Sequence, residues 1–197
     1  VCEGAMGFYD GLGGTSDTAS AWHLADTLNL PVLLVVRPKG ASLTLAAEVR
    51  GLMQFRAPHH IAGILLNDCS ETLYKLLKPM LERETELPVA GYLPPMPEVC
   101  IESRHLGLKT AAEIDDLQQK IKILSETAQK TINWALLQAR LDRPAPTAVR
   151  PHTPPPRVRI AVARDAAFCF TYAETLDALR QNDAELCFFS PLTDVRL

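Results

Sequence analysis

The densest group of chemically capable residues lies at the start of the chain, Val1-Cys2-Glu3-Gly4-Ala5-Met6-Gly7-Phe8-Tyr9-Asp10-Gly11. Glu3 stands where a short apolar strand would end, and Asp10 follows in a glycine-rich loop. Hard oxygen ligands at the carboxyl end of a parallel strand suit Mg²⁺ carried by a nucleotide phosphate. Glycines let the backbone approach such a ligand closely. A helix opening near Ser16 would turn its free N–H groups toward an anion. On spacing alone a plainer reading comes first, a glycine-rich turn with a solvated aspartate.

Other candidates are more scattered. Asn67 closes an apolar run, either as a polar strand end or as a ligand contact. Arg104 and His105 sit together in a loop, where they could bind an anionic substrate or phosphate, or simply serve the surface or packing. Lys39, in Arg37-Pro38-Lys39-Gly40, reads as a solvated turn. The five cysteines (2, 69, 100, 169 and 187) are odd in number, with no C-x-x-C pair. They read as reduced, mostly buried thiols of a cytoplasmic protein and give no zinc site.

These residues need a scaffold, and the pattern from Thr15 to Arg140 supplies one. Ser16 or Asp17 is the expected cap of a helix running to about Asn29. Val32–Val36 is continuously apolar and β-branched, as in a strand buried on both faces. A helix follows over Ser42–Phe55, then a strand at Ile61–Leu66, a helix over Glu71–Glu84 and a strand at Val89–Leu93. Such alternation with short connections predicts an α/β fold with a parallel sheet flanked by helices. Right-handed crossovers put every loop after a strand on one edge, where ligands bind.

Past Pro94-Pro95-Met96-Pro97, an amphipathic stretch over Thr110–Leu141 reads as one long helix on the sheet. Arg143–Pro156 is proline-rich and predicts an extended spacer between domains. A second unit then opens, with a strand at Val158–Ala163, a helix over Tyr172–Gln181 and a strand at Glu185–Ser190. The expected division is 1–142, a linker at 143–156, and 157–197.

A net charge of −3 leaves no electrostatic footprint for nucleic acid or an anionic membrane. No apolar run reaches membrane-spanning length, and no signal peptide is expected from the pattern of the chain. The expected localisation is cytoplasmic.

E-G-A-M-G-F-Y-D-G (Glu3–Gly11) resembles the E-G-x-M-G-L-[YF]-D-G signature of the cobyrinic acid a,c-diamide synthases, ATP- and glutamine-dependent amidotransferases of corrinoid biosynthesis. Thr15–Ala19 is similar to the family's helix start, P-V-L-L-V-V and Gly63–Asn67 to its core strands, and Arg104–Leu108 to a further signature. Ala163–Tyr172 and Phe188–Asp194 look like the opening of its class I glutaminase domain. The related cobyric acid synthases carry E-G-A-G-S-P-A-E in place of the first signature and are a weaker match.

The resemblance implies a P-loop synthetase-like domain followed by the start of a glutaminase-like α/β domain. It implies ATP and Mg²⁺, with Glu3 as the metal and nucleotide ligand and Asp10 beside the reacting phosphate and carboxylate. Asn67 corresponds to a position that contacts adenine in similar synthetases such as dethiobiotin synthetase. Arg104 and His105 would hold an anion. At Arg37 many members carry an acidic residue or Asn, so this chain departs from the pattern there.

The substrates implied are a corrinoid, glutamine and ATP, and a homo-oligomer stays open. The reaction implied is amidation of the a and c carboxylates of cobyrinate through acyl-phosphates, a carbon–nitrogen ligase chemistry. A nickel-sirohydrochlorin a,c-diamide synthase shares this architecture. G-x-x-x-x-G-K-[ST] does not occur in the chain, and none of its cysteines fits a glutaminase nucleophile. The chain therefore reads as an internal fragment, inactive alone, without its first strand and P-loop. If it were the native product, it would be a non-catalytic binding module.

Overall fold

Val32–Val36 (β1), Ile61–Leu66 (β2) and Val89–Tyr92 (β3) form a parallel three-stranded sheet in the order β1-β2-β3 in the computed structural model. The structure describes residues 1–101, 114, 116–143 and 158–195. Two compact units are present, Val1–Pro144 and Ala145–Leu197.

Each crossover in the first unit is helical. Leu43–Phe55 (α2) joins β1 to β2, and Glu71–Thr85 (α3) joins β2 to β3. The strands advance in one direction, so right-handed crossovers place α2 and α3 on the same face, where they pack together. Val49, Ile64, Leu66, Cys69, Leu77, Leu81 and Val89 are the fully enclosed side chains of this core. Ser70 caps α3, its hydroxyl accepting from the Leu73 N–H.

Three local expectations need correction. Helix α1 is Ala21–Leu28 and is capped by Ser20, whose hydroxyl accepts from the His23 N–H at 3.1 Å. Ser16 and Asp17 instead belong to the preceding loop, because Ala19 takes a positive φ of 66° and turns the chain before the helix can start. Strand β1 buries Leu34 but leaves Val35 54% exposed. Among the described strands β1 is an edge, whereas central β2 buries Ile61 and Gly63–Leu66.

The long amphipathic stretch is two helices, Leu117–Thr131 (α4) and Trp134–Leu141 (α5). A tertiary contact breaks it: Ile132 bridges Gly91 in antiparallel fashion, and the Asn133 N–H donates to Ala90 O at 2.7 Å. The Asn133 side chain then caps α5 by accepting from the Leu136 N–H. Gly91 makes this approach possible. A Cβ there would stand 2.3 Å from Thr131 O, and its φ of 151° is one that L side chains rarely adopt.

In the second unit Val158–Ala163 (β4) pairs in parallel with Ala184–Phe189 (β5), joined by Ala173–Gln181 (α6). The cysteine expectation is also corrected. Cys69 is buried, but Cys2, Cys100 and Cys169 are exposed and Cys187 is half-buried. Among the described residues of the second unit, two strands and one helix leave Cys169 exposed and Cys187 half-buried despite their apolar neighbours in sequence. Among the described residues, no helix is long and apolar enough to cross a membrane.

Candidate functional site at the carboxyl edge of the sheet

Register aligns Val36, Leu66 and Tyr92, the last residues of β1, β2 and β3. The next residues of the chain therefore gather on one edge. The Asn67 N–H donates to Val36 O at 2.8 Å, the Leu93 N–H to Leu66 O at 2.8 Å, and the Cys69 N–H to Leu93 O at 2.9 Å. These bonds carry the ladder past the strands and fix the loop backbone. Asn67 is exposed, and its side chain takes no hydrogen bond among the described residues. Beside it, Arg37 and Asp68 form an ion pair that ties the end of β1 to the end of β2. Burial, then the Asp68 charge, pushes the Cys69 thiol above its ordinary range, which suits a neutral packing thiol.

The glycine-rich segment is a set of tight turns. Asp10 accepts from the Gly7 N–H at 3.1 Å through Oδ2, and its own N–H donates back to Gly7 O at 2.9 Å. Tyr9 anchors the segment: its hydroxyl donates to Leu52 O at 2.5 Å, and its ring lies 5.0 Å from Phe55 and 5.9 Å from Trp22. Burial pushes the Tyr9 phenol above its ordinary value, with Arg56 pulling the other way. Asp17 pairs with Arg56 at 2.6 Å, and Trp22 Nε1 donates to Pro58 O at 2.9 Å. These tethers reach the last turn of α2 and the connection into β2, the end of that strand opposite Asn67.

Among the described residues, no hydrogen bond or ion pair joins Glu3, Asp10 and Asn67 to one another. Glu3 is exposed, lies outside any strand and has no polar partner among them. The strand expected to end there is absent from the described residues. No group of three His, Cys, Asp or Glu side chains that could hold a metal occurs among them either. A single free carboxylate still fits Mg²⁺, which binds through one or two carboxylates plus waters and substrate phosphates. Arg104 and His105 lie outside the described residues, as do 144–157 of the proline-rich segment.

The chain is 42% identical over 197 residues to the cobyrinate a,c-diamide synthase of Clostridium tetani (strain Massachusetts / E88), covering all of this chain and 44% of that protein. It is 38% identical to the enzyme of the same name from Clostridium acetobutylicum and 41% identical to that of Synechococcus sp., again along its whole length. Along its whole length the chain is thus similar to cobyrinate a,c-diamide synthases. It spans 44–45% of the length of these relatives. No protein-family model matches it, and no solved structure matches it.

Two sets of contacts in the structure were not read from the sequence. The first is the Arg37–Asp68 pair. Its signal was available, since Arg37 directly follows β1, Asp68 lies two residues past β2, and parallel register makes such positions near neighbours. The second is Asp165 of the second unit, beyond the end of β4. Its Oδ1 accepts from the Ala167 and Phe168 N–H groups, and its Oδ2 from Ser190 Oγ and the Leu192 N–H. One carboxylate thus joins the loops that follow β4 and β5. Desolvation raises its pKa, but the bonds from Leu192, Phe168, Ala167 and Ser190 together hold it below the usual value.

Proposed function

We propose that the protein carrying this chain is an ATP- and glutamine-dependent ligase that amidates the a and c side-chain carboxylates of cobyrinate, in cobalamin biosynthesis. The observation that carries this reading is the match to cobyrinate a,c-diamide synthases along the entire chain. The carboxyl edge built by Arg37, Asn67 and Leu93 supports it, because open α/β sheets bind nucleotides at such an edge.

The chemical logic is activation. A carboxylate is a poor acyl donor because its leaving group is oxide. Transfer of the ATP γ-phosphoryl group to the carboxylate oxygen makes phosphate the leaving group, and ammonia released from glutamine displaces it to give the amide and inorganic phosphate. In this reading the first unit is the synthetase part and the second unit opens the glutaminase part. Asn67 offers its amide to the adenine base. Glu3 would hold Mg²⁺, which neutralises phosphate charge during transfer. By the resemblance of Glu3–Gly11, and although the tethers of that segment reach the other end of β2 from Asn67, Asp10 would serve the reacting carboxylate and phosphate, and Arg104 and His105 would hold an anionic group of the substrate.

Glu3→Gln and Asp10→Asn test the assignment. Each is expected to abolish ATP-dependent amidation while glutamine hydrolysis to glutamate persists. Wild-type amidation by both variants would overturn these roles.

A further inference from the structure

Arg37, directly beyond β1, and Asp68, two residues beyond the aligned end of β2, clasp the two strand ends together. Arg37 donates to Asp68 Oδ2 through both Nε and Nη2, a two-pronged grip from one guanidinium. Asp68 takes a left-handed φ of 53°, a conformation that Asp adopts more readily than most residues. Asn67 lies between them, its backbone fixed to Val36 O and its side chain exposed.

An unpaired carboxylate beside Asn67 would oppose any polyphosphate approaching this edge. The pairing removes that opposition, while the bond from the Asn67 N–H to Val36 O holds the turn against β1. Resting on the nucleotide reading above, we infer that Arg37 is a positioning residue for the nucleoside triphosphate: it masks the Asp68 charge beside the turn that presents Asn67. The Arg37 side chain is 61% exposed, so the pair contributes little to folding stability and its effect is on the ligand.

Charge masking has a signature that a merely structural bond lacks. Removing Arg37 leaves a bare carboxylate, whereas removing both charges does not. The Michaelis constant for Mg·ATP is measured in the protein carrying this chain, as wild type and as Arg37→Ala, Asp68→Asn, Arg37→Ala/Asp68→Asn and Asn67→Ala, at low and high salt. Arg37→Ala is expected to raise KM for ATP about fivefold, with a much smaller change in kcat. Adding Asp68→Asn recovers most of that loss. High salt, which shortens the screening length to about 3 Å at 1 M, shrinks the Arg37→Ala defect. Arg37→Gln gives a second neutral variant with the same expected pattern.

A wild-type KM in Arg37→Ala, a double variant as impaired as Arg37→Ala, or a defect indifferent to salt would each overturn the inference. The Asn67 arm separates this failure from that of the underlying reading. An unchanged KM in Asn67→Ala would overturn the assignment of the base to this edge, and the inference with it. A raised KM in Asn67→Ala with a normal one in Arg37→Ala would overturn the positioning role alone.

Discussion

Gly7 and Asp10 hold each other: the Gly7 N–H donates to Asp10 Oδ2 at 3.1 Å while the Asp10 N–H donates to Gly7 O at 2.9 Å. A Cβ on Gly7 would stand 2.4 Å from that carboxylate oxygen, closer than real Cβ atoms come. The glycine thus sets where the carboxylate sits, and a methyl group there forces it to move. Gly7→Ala is therefore expected to lower ATP-dependent amidation nearly as far as Asp10→Asn does. Its melting temperature should stay close to wild type, because both residues are exposed. An active Gly7→Ala variant would separate the turn from the chemistry.

The core of the first unit should respond to truncation in the usual way. Ile64 and Leu66 are fully enclosed on central β2, and removing most of either side chain leaves a cavity. Ile64→Ala and Leu66→Ala are each expected to cost about 2–5 kcal/mol in chemical denaturation. Leu76→Ala, at a site 65% exposed on α3, should change stability by no more than about 0.5 kcal/mol.

Gly91 makes a separate prediction. Its Cβ position is occupied by the backbone at Thr131 and Ile132, which cannot yield as a side-chain tip can. Gly91→Ala should break the Gly91–Ile132 bridge and release the junction of α4 and α5 from β3. Faster hydrogen exchange at the Ile132 and Asn133 amides is the expected readout. Unchanged protection would show that the junction is held from elsewhere.

Asp165 gives the second unit a pH dependence. Its folded pKa is depressed, so its carboxylate contributes stability above the unfolded value, near pH 4. That contribution is lost as pH falls through the lower folded value. Protection of the β5 amides is expected to decline below about pH 4, and Asp165→Asn should be less protected at neutral pH with that acid transition removed. An acid transition that survives in Asp165→Asn would assign it to another carboxylate.

Much of the fold was legible because its signals are local. Val32–Val36 and Ile61–Leu66 are short apolar runs, and the crossover helices Leu43–Phe55 and Glu71–Thr85 each follow a serine and bury an apolar stripe, so strands and crossovers fall close to their expected positions. The errors arose where distant residues decide. Nothing near Ile132 announces that Gly91 will take its place beside it and split a helix. Ser16 and Ser20 are both eligible caps, and the positive φ at Ala19 selects Ser20. The site was legible as residue types: Glu3, Asp10 and Asn67 were singled out by chemistry and by position near glycines or at a strand end. Their arrangement was not, since the tethers of Tyr9 to Leu52 and of Asp17 to Arg56 span long stretches of chain. The Arg37–Asp68 pair needed only the parallel register, and pairwise reading of strand ends would have found it.

The central claim is that Asp10 serves ATP-dependent amidation of cobyrinate. It is tested most directly by incubating the protein carrying this chain with cobyrinate, glutamine and Mg·ATP, then following amide formation by mass spectrometry in wild type and Asp10→Asn. The account predicts conversion of two carboxylates to amides by the wild-type protein, dependent on ATP, and none by the variant. Amidation without ATP, or equal amidation by Asp10→Asn, would contradict it.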